Sequence, residues 1–176
     1  MYPMSNELVI PKEVPSNQVL QTLSQRYNEL EPSAISSALT LLKVAAELQG
    51  ALNQHFARYN LSQGRFVVLI MLYTASEAEM YCSDIADSIG VSRATITGLL
   101  DGLEREGLIK RADDREDRRR IMVRLTANGR RLLERILPDH FRKIAGMMSN
   151  LSENERRKMM ELLGRVREGV SVLLKP

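Results

Sequence analysis

The chain has 176 residues, a formal net charge of +3, 44% hydrophobic and 27% charged residues, the composition of a soluble globular protein with length for one core. No apolar run approaches the roughly 20 residues that a membrane span needs, and the N-terminus carries prolines and acids where a signal peptide has a basic start and an apolar core. One cysteine, Cys82, leaves no intrachain disulfide framework and no multi-cysteine metal site, so cytoplasmic residence is the simplest reading.

Residues 1–31 hold Pro3, Pro11 and Pro15 and show no sustained period. They read as an extended arm with a short helix near Val19–Tyr27, either disordered or laid on a partner subunit. Pro32 suits the first turn of a helix. After it Ile35, Leu39, Leu42, Ala45, Leu48, Leu52, Phe56 and Tyr59 recur every three to four residues. They form an apolar stripe on a helix of about seven turns. So long a helix exceeds what one small domain buries, and a second subunit is expected over part of it. Ser62 can cap the next helix, whose Phe66–Tyr73 run is apolar nearly all round and therefore central. Glu77 to Cys82 reads as a turn with at most a very short strand.

Further along, Thr126-Ala-Asn-Gly129 opens a helix that Pro138 should kink. Ser152-Glu-Asn-Glu155 matches a capping box, in which serine oxygen and glutamate each accept an orphan backbone N–H. In the last helix Met159, Leu163, Val166, Val170 and Leu173 alternate four and three apart, the a/d pattern of helix pairing. With the first long stripe, this pattern predicts a dimer.

Between these helices, residues 83–103 have the pattern of a helix-turn-helix. Two helices crossing at close range need a small residue on the first, a glycine at the turn and a branched apolar residue on the second. Ala86, Gly90 and Ile96 supply them in that order. Ser92 is a good N-cap for the second helix. Ile96, Leu99, Leu100 and Leu103 form its buried face, and Arg93, Ala94, Thr95 and Thr97 face outward, able to reach base edges and phosphates. The bland alternative is a pair of packed helices that binds nothing.

The segment that follows argues against that alternative. Leu108-Ile-Lys-Arg111 and Ile121-Met-Val-Arg-Leu125 can pair as strands around an arginine-rich tip, a hairpin suited to the minor groove. From Arg105 to Arg131 there are ten cations against five acids, so this stretch carries +5 and the rest of the chain −2. A basic patch on a nearly neutral body fits a polyanion bound at one place. Acids interleaved with the arginines fit the orientation of one guanidinium by bidentate pairing. A self-neutralised, solvated loop is the competing reading.

These pieces resemble the MarR family of transcription regulators, from about Ser33 to Leu174. The most specific matches are Val91 to Leu108, the run Asp114-Arg-Glu-Asp-Arg-Arg-Arg120, the closure Leu125-Thr-Ala-Asn-Gly129 and the opening Leu61-Ser-x-x-Arg65. The resemblance implies a mainly α fold with a small β-hairpin wing. A single MarR-like domain would cover 32–176, with a winged helix-turn-helix lobe at 61–125 and dimerisation helices at 32–60 and 126–176. It implies a homodimeric repressor of double-stranded DNA on a pseudo-palindromic operator. Arg119, positioned by Asp117, would enter the minor groove. Ser92, Arg93, Thr95 and Thr97 would read from the helix, and Arg105, Arg118 and Arg120 complete the expected contact set.

The chain departs from the family in places. Gly98 and Gly102 stand where some members carry arginines, leaving fewer reading groups and costing roughly 1 kcal/mol each relative to alanine. Thiol-sensing members use a cysteine near the start of the first long helix; this chain has none there, and Cys82 reads as a small buried residue. The family commonly binds small aromatic or phenolic acids between the dimer helices and the DNA-binding lobe. Candidate effector residues here are His55, Arg58, Tyr59 and Arg65; the favoured alternative makes them helix caps and surface ion pairs. No metal or other cofactor is expected from two histidines and one cysteine lying far apart. An enzyme with Cys82 as nucleophile lacks a histidine nearby in sequence, so no catalysis is expected. A dimeric winged-helix module that binds protein is the alternative function. It would need an apolar recognition face, which the Arg/Thr pattern does not offer.

Overall fold

The computed structural model describes residues 13–75, 79–113 and 120–175. The wing tip, with Asp117, Arg118 and Arg119, lies outside the described residues, as do Pro3, Pro11 and Glu77. The chain divides into two compact units, Met1–Val68 and Leu69–Pro176.

In the first unit, helix α1 (Asn17–Ser24) starts at Ser16, whose hydroxyl accepts the Val19 N–H at 3.4 Å. The helix thus begins two residues before the expected Val19, because the serine cap, not the apolar residues, sets its start. Leu20 is buried where α1 lies against α2 (Pro32–Ala57). Pro32 opens α2, where its missing N–H costs nothing. Of the predicted α2 stripe only the C-terminal end is buried: Phe56 is buried while Ile35 and Leu42 remain 39% and 41% exposed. Asn60 takes the left-handed conformation, φ 55°, and turns the chain so that the Leu61 N–H meets the Phe56 carbonyl at 3.1 Å. The Phe56 and Phe66 rings then stack with centroids 4.2 Å apart. Helix α3 (Gln63–Thr74) is capped as expected, the Ser62 hydroxyl accepting the Arg65 N–H at 3.3 Å.

The second unit is built on a sheet. Strand β1 (Glu79–Tyr81) leads straight into α4 (Cys82–Ile89) and α5 (Arg93–Arg105). Strands β2 (Ile109–Asp113) and β3 (Ile121–Leu125) follow. All pairings are antiparallel, in the order β1-β3-β2. The expected hairpin is therefore the larger part of a three-stranded sheet. β1 is too short to show an alternation of its own; its partner β3 defines it, pairing Met80 with Val123 and Tyr81 with Met122. Ile85, Leu100, Leu103, Ile109 and Val123, contributed by α4, α5, β2 and β3, are fully buried, which fixes the second helix against the sheet.

Helix α6 (Ala127–Met147) begins with no linker after β3. Thr126 is its N-cap: the hydroxyl accepts the Gly129 N–H at 3.1 Å and lies 2.8 Å from the Gly107 carbonyl, to which it donates. A Cβ at Gly129 would fall on the Leu108 carbonyl oxygen and lie 2.7 Å from Leu125 Cδ1. That close approach is the physical content of the Leu-Thr-x-x-Gly closure. α6 continues through Pro138 as a single helix, losing the backbone bond that residue would give to the Glu134 carbonyl.

Helix α7 (Glu153–Gly169) has the predicted capping box, the Ser152 N–H donating to Glu155 Oε2 at 2.7 Å and the serine hydroxyl accepting in return. The Ser152 contacts hold the Glu155 carboxyl below its usual range. A 3₁₀ turn, Val170–Leu174, ends the fold. No residue of α7 is buried. Met160, Val166 and Leu173 are 62%, 51% and 85% exposed. Among the described residues no helix is long and apolar enough to cross a membrane.

Candidate nucleic-acid interface

The helix-turn-helix closes as its residue types require. Ala86 is buried at the crossing, and Gly90 ends α4 at φ 74°, its N–H donating to the Ala86 carbonyl at 2.9 Å. A residue with a side chain is strained at that φ, so the turn depends on glycine. Ile96 is buried on α5. Ser92 caps α5, its hydroxyl accepting the Thr95 N–H at 3.1 Å.

The outer face of the first turns presents Ser92, Arg93, Ala94, Thr95, Thr97 and Gly98, all exposed. The threonines are partly committed to their own helix: Thr97 donates to the Arg93 carbonyl at 2.8 Å, and the Thr95 and Ser92 hydroxyls lie 2.8 Å apart. Their remaining lone pairs can still accept from a base edge. Two expectations are corrected. Leu99 is half-buried instead of buried, because it lies at the edge of the apolar face. Gly102 is buried, so an arginine there would not have faced solvent, and only Gly98 marks an absent reading group.

Arg105 ends α5. Twelve residues separate it from Arg93, which places it about 18 Å further along the axis. The structure therefore does not bring Arg105 together with the helix's first turn.

The base of the wing is tied down on both strands. Arg111 of β2 reaches two carboxylates of α5. Its Nη2 lies 2.7 Å from Asp101 and 2.6 Å from Glu104. Its Nε and backbone N–H donate to Glu104 at 2.8 and 2.9 Å. These bonds hold the Glu104 carboxyl below its usual range, and the carboxylates, Glu104 first, raise the Arg111 guanidinium further. On β3, Arg124 pairs with Glu79, its register partner on β1. Just before β3 the Arg120 guanidinium lies over the Tyr81 ring, 3.4 Å from its centroid. Neither Tyr81 nor the Arg111 pairing is visible in the sequence, since both join residues that only the sheet and the packing bring together.

Between α5 and the wing base opens a cleft of about 380 Å³ lined by Cys82, Ser83, Arg93, Ile96, Thr97, Leu100, Arg111, Arg120 and Ile121. It brings the predicted Arg93, Thr97 and Arg120 together. Cys82 is half-buried at the start of α4, and burial pushes its thiol up against the opposing pull of Arg111.

The effector candidates fall in the first unit. His55 is buried and meets the Tyr59 ring edge-on, centroids 5.7 Å apart. Arg58 is the exposed C-cap residue of α2, and Arg65 is half-buried in the first turn of α3. Among the described residues no group of three or more histidine, cysteine or acidic side chains converges on a metal site.

The family model described as MarR family matches residues 61–121. The HTH-type transcriptional repressor YetL of Bacillus subtilis (strain 168) is 33% identical over 92% of this chain and 96% of its own length. The chain belongs to the MarR family of transcriptional regulators. Family and relatives are regulators and not enzymes. The HTH-type transcriptional regulator PecS of Dickeya dadantii (strain 3937) is 30% identical over 78% of this regulator and 82% of its own length. Among solved structures, MepR of S. aureus in a DNA complex superposes with a TM-score of 0.70 at 25% identity, over 76% of this chain and 97% of that one. Sco3205 of Streptomyces coelicolor, also solved with DNA, shares the fold: TM-score 0.69, 21% identity, 78% and 88% covered.

Proposed function

We propose that this MarR-family regulator binds double-stranded DNA sequence-specifically as a homodimer and acts in the cytoplasm as a repressor on a pseudo-palindromic operator. The exposed N-terminal face of α5 carries the reading. It offers Ser92, Arg93, Thr95 and Thr97 beside a basic wing base, which suits a helix in the major groove with a wing alongside. Asp117, Arg118 and Arg119 at the wing tip supply the minor-groove contact. Arg105, set apart from the first turn, serves as a flanking phosphate contact. YetL's name supports the repressor reading, and the MepR–DNA complex supports a DNA partner. The unburied stripe of α7 supports the dimer. A small aromatic acid, its carboxylate held by Arg58 or Arg65 beside His55 and Tyr59, is the proposed release signal.

Fluorescence anisotropy on duplexes from the DNA flanking the protein's own gene tests this. Specific binding should exceed binding to random duplex by at least about 10³-fold, with half-sites about 34–36 Å apart. Arg119→Ala should weaken binding and flatten its salt dependence. Arg93→Ala should cost roughly 1–3 kcal/mol; relaxed preference at one base pair marks a base-edge contact, and equal loss on every duplex marks a phosphate contact. Equal affinity for operator and random duplex would sink the reading.

A further inference from the structure

We propose that Arg120, held face-on against Tyr81, is a prepositioned contact for a DNA phosphate that it shares with Arg93 across the cleft, and that Tyr81 is its positioning residue. This deepens the DNA-binding reading and rests on it.

The described residues compensate the cleft's cations unequally. Of the three arginines lining the cleft, Arg111 is occupied by Asp101 and Glu104. Among the described residues, Arg93 and Arg120 have no acidic partner, and the cleft lining contains no carboxylate. Two guanidiniums facing one opening whose described lining holds no acid suit an anion. Its apolar floor, Ile96 and Leu100, lowers the local dielectric and so strengthens the attraction.

The Tyr81 stack decides what Arg120 can do there. A guanidinium carries its N–H donors in its own plane. The ring covers one face at 3.4 Å and leaves the donor edge outward. A long exposed arginine ordinarily loses rotamer freedom when it grips a phosphate. Here the ring has already restricted the side chain, so less freedom is lost on binding. Tyr81 is itself fixed, because β1 pairs with β3 on one side and runs directly into α4 on the other. The recognition helix and the root of the wing thus address one stretch of backbone from both sides. Phosphate contacts of this kind set register and carry no sequence information.

The test is anisotropy on operator and random duplex over a range of salt, with Y81F, Y81L, R120A and the Y81L/R120A double variant, each checked for folding by thermal melting. R120A should lower the slope of log K against log salt by about 0.9, equally on both duplexes. Y81L should take most of that loss, Y81F none, and the double variant should match R120A. In free protein the Arg120 Nε–H resonance should be shifted upfield by the ring and return in Y81L. An unchanged slope in R120A, independent losses in the double variant, or an unshifted resonance overturns the proposal. So does binding of inorganic phosphate at the cleft with no change in the DNA slope. Failure of the wild-type protein to prefer its operator refutes the regulator reading instead, while the resonance still decides the stack.

Discussion

Helices α5 and α7 are both amphipathic and of similar length, 13 and 17 residues, yet they end in opposite situations. α5 buries Ile96, Leu100 and Leu103 against partners from its own chain. α7 carries an equally regular stripe and buries none of it. The helix-turn-helix buries its apolar face within one chain, whereas the α7 stripe stays open to the partner subunit proposed above. The apolar end residues sharpen the contrast: Leu173 and Leu174 are 85% and 82% exposed.

This contrast can be broken by matched truncations. Leu103→Ala removes a fully buried side chain and should cost about 2–5 kcal/mol in denaturant unfolding at any protein concentration. A loss under about 0.5 kcal/mol would mean that the lobe core is not what holds it. Leu163→Glu with Val166→Glu should act differently. The lobe's melting should persist at low concentration, while sedimentation should show the dissociation constant of the proposed dimer raised by about tenfold or more. An unchanged dimer would assign the α7 stripe to some other surface. The smallest effect concerns the lobe's polar tie. Glu104 is held below its usual range by Arg111, so its folded form binds a proton less readily than its unfolded form. Its contribution is present above the ordinary carboxylate range and is lost as pH falls through that range toward its lowered value. At about a third exposed, Glu104→Gln should cost no more than about 1 kcal/mol at neutral pH and flatten the acid limb of the stability curve. A parallel acid limb in the variant would remove this pair from the ledger of the fold.

The legible parts of the molecule are those whose signal is local. The turn at Gly90, the caps at Ser62, Ser92, Thr126 and Ser152, and the stripes of α2 and α7 each rest on a few adjacent residues with one physical demand. What escaped reading is non-local. A very short strand is readable near Tyr81, but its pairing with β3 is not, since three residues hold no pattern that names a partner. Arg111 is one basic residue among many until the fold places it beside Asp101 and Glu104. Tyr81 carries no hint of Arg120, 39 positions away. Gly102 is buried where spacing suggested an open position, because helical spacing alone does not set the width of a buried face. Of the candidate site, the first turn of α5 was legible as a set, and the wing base was legible as charge but not as architecture.

The junction at Thr126 has a mechanical consequence. One hydroxyl caps α6 and also grips the Gly107 and Leu108 carbonyls, and Gly129 seats its backbone on Leu108. The returning strand and the next helix therefore share a joint with no slack. Thr126 alone links β3 to α6 and is hydrogen-bonded to both sides, so a displacement of β3 is passed to the first turn of α6. Strand β3 is the short arm of a lever, and α6, with 21 residues, is the long one.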